Sequence, residues 1–117
     1  MTGDSFQIGF VSQLMSREQT RHRVISQNIA NVNTVGYHAR DVAFETALND
    51  VTVRAGGTLL SSHRIVEKQG LMVREDGNNV DIDRELGNLD KTVLTFNTYA
   101  QILSGKLAML RLAIGGR

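Results

Sequence analysis

Nine apolar residues near the end of this chain, Leu86, Leu89, Val93, Phe96, Ala100, Leu103, Leu107, Leu110 and Ile114, are spaced alternately by three and four. That interval is the a/d seam of a long α-helix sustained over four heptads. It excludes a strand, whose side chains change face at every residue. Asp81 or Asp83 is placed to cap the helix start, Asp83 and Glu85 suit the first turn, and Gly115-Gly116 ends it. At ~1.5 Å per residue such a helix is roughly 50 Å long, so the molecule is expected to be a rod. Off the seam, Tyr99, Ile102, Ala108, Met109, Leu112 and Ala113 are also apolar or small, and only Lys106 and Arg111 carry charge between Tyr99 and Ile114. A helix apolar nearly all round needs cover on several sides. A chain of 117 residues supplies one covering helix, and other subunits are expected to supply the rest.

That covering helix is legible from about Ser5 to Asn33. Val11, Leu14, Met15, Ile25, Ile29 and Val32 share a face, interrupted in the middle by Glu18, Arg21 and His22. Between the two helical zones, Tyr37 to Asn79 shows no long period. Val51 to Arg54 alternates like a short strand before Gly56-Gly57, and Glu75 to Asn79, "EDGNN", signals a turn. The chain therefore divides into an N-terminal helix and turn (1–36), an irregular, partly flexible middle segment with room for a short hairpin (37–80), and the heptad helix (81–117). The expected fold class is mainly α: an elongated antiparallel pair of long terminal helices, coiled-coil-like, with a small irregular or β middle segment.

Composition narrows the function classes. A net charge of +1 argues for neither nucleic acid nor an anionic membrane as partner. The chain has no cysteine, so disulfide and thiol chemistry are excluded. The start, Met1 to Ser5, lacks the basic region of a cleaved secretory signal. His22, His38 and His63 have no metal-ligand spacing, Gly56-Gly57 lacks the rest of a phosphate loop, and capping accounts for Asp81 and Asp83 more simply than paired carboxylates do. No catalytic residue, metal or cofactor site and no small-molecule substrate is indicated. The expectation is a non-enzymatic structural protein.

Asn28, Asn31 and Asn33 crowd the end of the first helix, although asparagine is a poor helix-interior residue. Two readings stay open on the pattern alone. One is a fraying end with Asn33 as a left-handed cap; the other is a buried polar contact that fixes helix register. Thr34-Val35-Gly36-Tyr37 is expected to form a type II turn, with Gly36 supplying the positive φ.

These residues carry a resemblance. "NIANVNTVGY", with Asn28, Ile29, Ala30, Asn31, Thr34, Gly36 and Tyr37 at its defining positions, resembles the N-terminal signature of bacterial flagellar axial proteins. Val35 stands where that signature often has proline. "YHARDVAFETAL", "DGNNVDIDREL" and "LSGKLAMLRLAI" resemble the FlgB branch of the basal-body rod proteins. The resemblance implies paired terminal helices that polymerise into the proximal rod of the flagellar drive shaft. Implied partners are further copies of itself, FlgC-, FlgF- and FlgG-like rod subunits, FliE and the MS ring proteins. It also implies passage through the flagellar type III export apparatus without a cleaved signal peptide, to the periplasmic rod. Ile25, Leu89, Val93, Phe96, Leu103, Leu107 and Leu110 are the expected helix-packing residues, and Ile102, Met109 and Leu112 the expected subunit contacts. The rivals are an FlgC-like rod component and a cytosolic coiled-coil adaptor.

Overall fold

The computed structural model describes residues 2–45 and 62–115. Four elements follow in chain order: α1 (Thr2–Ala30), β1 (Arg40–Glu45), β2 (Ser62–Glu67) and α2 (Ile82–Gly115). The two helices have 29 and 34 residues, and no proline interrupts either. They run antiparallel. Gln7, near the start of α1, accepts from the Lys106 ammonium, whereas Asn28, near its end, donates to Glu85 in the first turn of α2. The molecule measures 65 × 32 × 16 Å with a radius of gyration of 18.5 Å, against about 13 Å for a compact chain of 100 residues. Among the described residues no helix is long and apolar enough to cross a membrane.

Each helix end has a physical cause. Asp81 is the N-cap of α2. Its carboxylate accepts the Arg84 N–H at 3.3 Å and its carbonyl accepts the Glu85 N–H at 2.9 Å. α1 tightens after Ala30 into a run of i→i−3 bonds, Val32 to Ile29 and Thr34 to Asn31, as helix ends do when i→i−4 partners run out. Among the described residues no residue other than glycine has a positive φ, so Asn33 is not a left-handed cap. Gly36 takes φ +74°, and the Tyr37 N–H closes the turn onto the Thr34 carbonyl at 3.2 Å. These are the third-position φ and the four-residue hydrogen bond of the expected turn.

The middle contains a two-stranded antiparallel sheet, with Arg40 opposite Glu67 and Glu45 opposite Ser62. The strand read from Val51 to Arg54 and the breaker at Gly56-Gly57 lie outside the described residues. β1 lies on α1, where the Phe44 ring sits 4.2 Å from the Arg17 guanidinium and 5.3 Å from that of Arg21.

The core is thin. Val11, Val24, Ile25, Ala39, Val42 and Val80 are its buried apolar residues among those described. The residues of α2 that are fully buried are polar, Glu85 and Thr92. The line of α2 facing α1 runs through Glu85, Leu89, Thr92, Phe96, Tyr99, Leu103 and Lys106. Leu86, Val93, Leu107 and Ile114, the other half of the heptad seam, are exposed. The contact is thus rotated roughly an eighth of a turn from the centre of the apolar seam, at ~100° per residue.

Candidate functional site

The densest polar construction in the molecule lies at the closed end of the helix pair, where the segment after α1 meets the segment before α2. Asn28 is its centre and is 0% exposed. Its Nδ2 donates to the Arg40 carbonyl at 2.8 Å and to Glu85 Oε2 at 3.2 Å. Its Oδ1 accepts from the Arg40 N–H at 3.0 Å and from the Tyr37 hydroxyl at 2.9 Å. All four hydrogen-bonding positions of the amide are filled. Asn28 meets both backbone groups of Arg40 as a neighbouring strand would, which couples α1 to the first residue of β1. An amide is required for this, because only an amide donates and accepts side by side.

Glu85 extends the construction. It is 1% exposed, and its Oε1 accepts from the Lys68 ammonium at 2.6 Å. Lys68 follows β2, and its own N–H donates to the Ala39 carbonyl at 2.8 Å. One carboxylate therefore ties α2 to α1 through Asn28 and to the hairpin through Lys68. Removing one partner of such a buried pair strands the other charge, which is costly. Burial pushes the Tyr37 hydroxyl above the ordinary phenol value; Arg40 opposes this and Glu85 adds to it.

A second asparagine cluster closes the turn. Asn78, fully buried, donates from Nδ2 to the Asn31 and Thr34 carbonyls, both at 2.8 Å, and accepts the Val80 N–H on Oδ1 at 2.8 Å. Each of these carbonyls already accepts a backbone N–H within the turn, and Asn78 adds a second hydrogen bond to it, from 47 residues away for Asn31 and 44 for Thr34. The Arg74 guanidinium donates to the Val32 carbonyl and, at 3.3 Å, to that of Val80. Asn79 Oδ1 accepts the Ala39 N–H at 2.6 Å, and the Gly36 N–H donates to the Asp76 carbonyl at 2.9 Å. Gly77, at φ +84°, approaches so closely that a Cβ there would stand 3.3 Å from the Gly36 Cα. Asn31 bonds locally, donating to the Gln27 carbonyl at 2.7 Å and accepting from the Thr34 hydroxyl at 3.0 Å. Among the described residues no buried side-chain nitrogen or oxygen lacks a partner.

The signature residues Asn28, Asn31, Thr34, Gly36 and Tyr37 thus converge on one junction, with Ile29 half-buried and Ala30 exposed beside it. Asn78 and Asn79, read from sequence only as turn formers, and Lys68 and Glu85 are its other members. The register-fixing reading describes Asn28; Asn33 is exposed and outside the network. Of the expected helix-packing residues, Ile25 is buried and Leu89, Phe96, Leu103 and Leu110 are half-buried, whereas Val93 and Leu107 lie exposed beside the contact. Ile102, Met109 and Leu112 are exposed at 43%, 70% and 63%. Among the described residues no three potential metal ligands cluster. The junction ties α1, the hairpin and α2 together.

Residues 15–38, which span the end of α1 and the turn, match the family model described as flagella basal body rod protein. The chain is 32% identical to the flagellar basal body rod protein FlgB of Salmonella typhimurium, with 92% of each chain covered. It is 32% identical to the FlgB of Aquifex aeolicus over 83% of each, and 26% identical to that of Bacillus subtilis over 87% of this chain and 88% of the relative.

Proposed function

This chain belongs to the FlgB family of flagellar basal body rod proteins, and from that premise we propose that it polymerises through its terminal helices at the proximal end of the rod. It is a structural subunit of the basal body rod and assembles there with other basal-body components. The observation that carries the polymerisation is the unfinished burial of α2. Ile102, Leu107, Met109, Leu112 and Ile114 stand bare along its last four turns, more than singly scattered surface residues would account for. Neighbouring subunits cover these residues in the rod. The junction around Asn28 and Glu85 holds the helices in register while load passes along them. Its role is mechanical, and the chain catalyses no reaction.

The partners follow the same reading: further copies of the chain, FlgC-, FlgF- and FlgG-like subunits above, and FliE and the MS ring proteins below. Delivery runs through the flagellar type III export apparatus without a cleaved signal. Ile102→Asp and Leu112→Asp test the reading. Both side chains are exposed in the isolated subunit, so its unfolding should shift by less than about 0.5 kcal/mol. A charge buried in a dry subunit interface costs several kcal/mol, so rods and motility should be lost while export continues. Normal swimming by both variants would refute the polymerisation through this helix.

A further inference from the structure

The helix pair has two broad faces, and each carries a bare apolar feature. The hairpin defines the front. It packs over Arg17, Arg21 and Asn28 through Phe44 and Arg40. Phe6 and Phe10 lie three turns before Arg17 and Arg21 on the same side of α1. Their rings stack with centroids 6.4 Å apart and an interplanar angle of 14°, and both are exposed. The Gln7–Lys106 bond sets their level against α2, and a helical wheel puts Ile102 and Met109 on that same front flank. Together they form an apolar ridge.

The back carries a groove. Gln19 and His22 of α1 face Val93 and Phe96 of α2 across a cavity of about 280 Å³, floored by Glu18 and Thr92. That is below the usual range for a small-molecule site and suits a single side chain. Val93 also belongs to a stripe on that side of α2, with Leu86, Leu107 and Ile114 at multiples of seven residues and Ala100 completing it. A seven-residue interval sustained for about 42 Å fits a second helix of comparable length. α1 and α2, at 29 and 34 residues, are such helices. The ridge and the groove face opposite ways, so the ridge of one subunit cannot enter its own groove. Two unlike patches on opposite faces make a head-to-tail contact that adds copies without closing at two.

We propose that the back groove of one subunit, centred on Val93 and Leu107, receives the Phe6–Phe10 ridge of the next copy of the same chain. This rests on the rod reading and specifies the lateral contact within it. The contact is heterologous: each subunit gives its front and accepts with its back.

The chain has no cysteine, so introduced ones can be read cleanly. Phe10→Cys/Val93→Cys and Phe10→Cys/Leu107→Cys, and each single variant, are oxidised in purified basal bodies and separated without reductant. A ladder of covalent dimers, trimers and larger species from either double variant, with none from the singles, is the expected result. The two positions face opposite ways within one subunit, so the ladder cannot come from internal bridges. Dimers from a single variant would overturn the proposal in favour of a symmetric contact. So would double variants that build working rods without a ladder, and in that case the rod reading stands. Absence of the tagged wild-type subunit from basal bodies would instead remove the rod reading. If the double variants do not assemble, a benzophenone photo-cross-linker at Val93 in the otherwise unchanged chain decides. Adducts to the peptide containing Phe6 and Phe10 support the contact; adducts elsewhere, or none, overturn it.

Discussion

Replacing Asn28 by aspartate changes the amide nitrogen to an oxygen and leaves the shape of the side chain intact. The new carboxylate keeps its acceptor role toward Tyr37 and the Arg40 N–H, but it can no longer donate. Two acceptors lose their donor: the Arg40 carbonyl at 2.8 Å and Glu85 Oε2 at 3.2 Å. A buried acceptor left unpaired costs about 1–3 kcal/mol, and one that is charged costs more. The introduced charge also stands against the Glu85 carboxylate in a site that excludes water. A total loss of about 3–5 kcal/mol is expected, a large share of the 5–15 kcal/mol typical of a folded domain. Loss of 3 kcal/mol lowers Tm by more than about 10 °C at this size. Two carboxylates at this distance push one pKa upward, so the folded variant prefers to hold a proton there. A raised folded pKa gives stability that is complete below the unfolded carboxylate value and lost as pH rises through the folded value. The deficit against wild type should therefore be greatest near pH 8 and shrink toward pH 5. Urea unfolding followed by circular dichroism at both pH values measures it, with exposed Asn33→Asp as the control. A deficit below about 0.5 kcal/mol, or one that does not change with pH, would refute the assignment of Asn28 as the centre of the junction.

Other consequences follow from the same junction. Tyr37 should ionise above the ordinary phenol range, so the stability it contributes is present below that range and lost as pH rises through its folded value; this alkaline loss should disappear in Tyr37→Phe, read by absorbance titration and unfolding at high pH. Val35, 78% exposed at the second position of its turn, should accept proline and gain roughly 0.4–1 kcal/mol, whereas Gly36→Val should destabilise because a β-branched residue resists positive φ. Gly77→Ala should cost more than Gly36→Ala in thermal unfolding, since a Cβ at Gly77 meets the Gly36 backbone at 3.3 Å while one at Gly36 meets nothing within 4 Å.

The long second helix, its cap and the glycine turn were all readable in the sequence, because each depends on residues close together along the chain. Asp81 caps whatever helix follows it, and Gly36 turns wherever it lies. The facing of α2 was not readable in this way. Periodicity gives the direction of a helix's apolar side but not which side its neighbour takes. Here α1 carries polar groups along its contact line, and Gln7 and Asn28 bond Lys106 and Glu85 opposite. Such satisfaction is pairwise and invisible in either helix alone. Asn78 and Asn79 were hidden for a related reason. "EDGNN" is turn chemistry by composition, and only the distant backbone groups beyond α1, the Asn31 and Thr34 carbonyls for Asn78 and the Ala39 N–H for Asn79, make its two amides structural. The strands at 40–45 and 62–67 are short and half-polar. Val42 and Phe44 alternate in β1, but Ile65 and Val66 in β2 are adjacent, which breaks the two-residue period.

The junction also governs when the chain can fold. Asn28 and Glu85 are 57 residues apart, and Gln7 and Lys106 are 99 apart. Contacts this distant in sequence require the loop entropy to be spent before any of them forms, which makes folding slow. A chain that emerges from a narrow channel N-terminus first cannot close its helix pair until Glu85 is out, nor align it fully until Lys106 follows. Until then α1 has no partner, and a lone helix of its mixed polarity is marginal in water. On the export route proposed above, this topology would keep the chain threadable until nearly all of it had crossed.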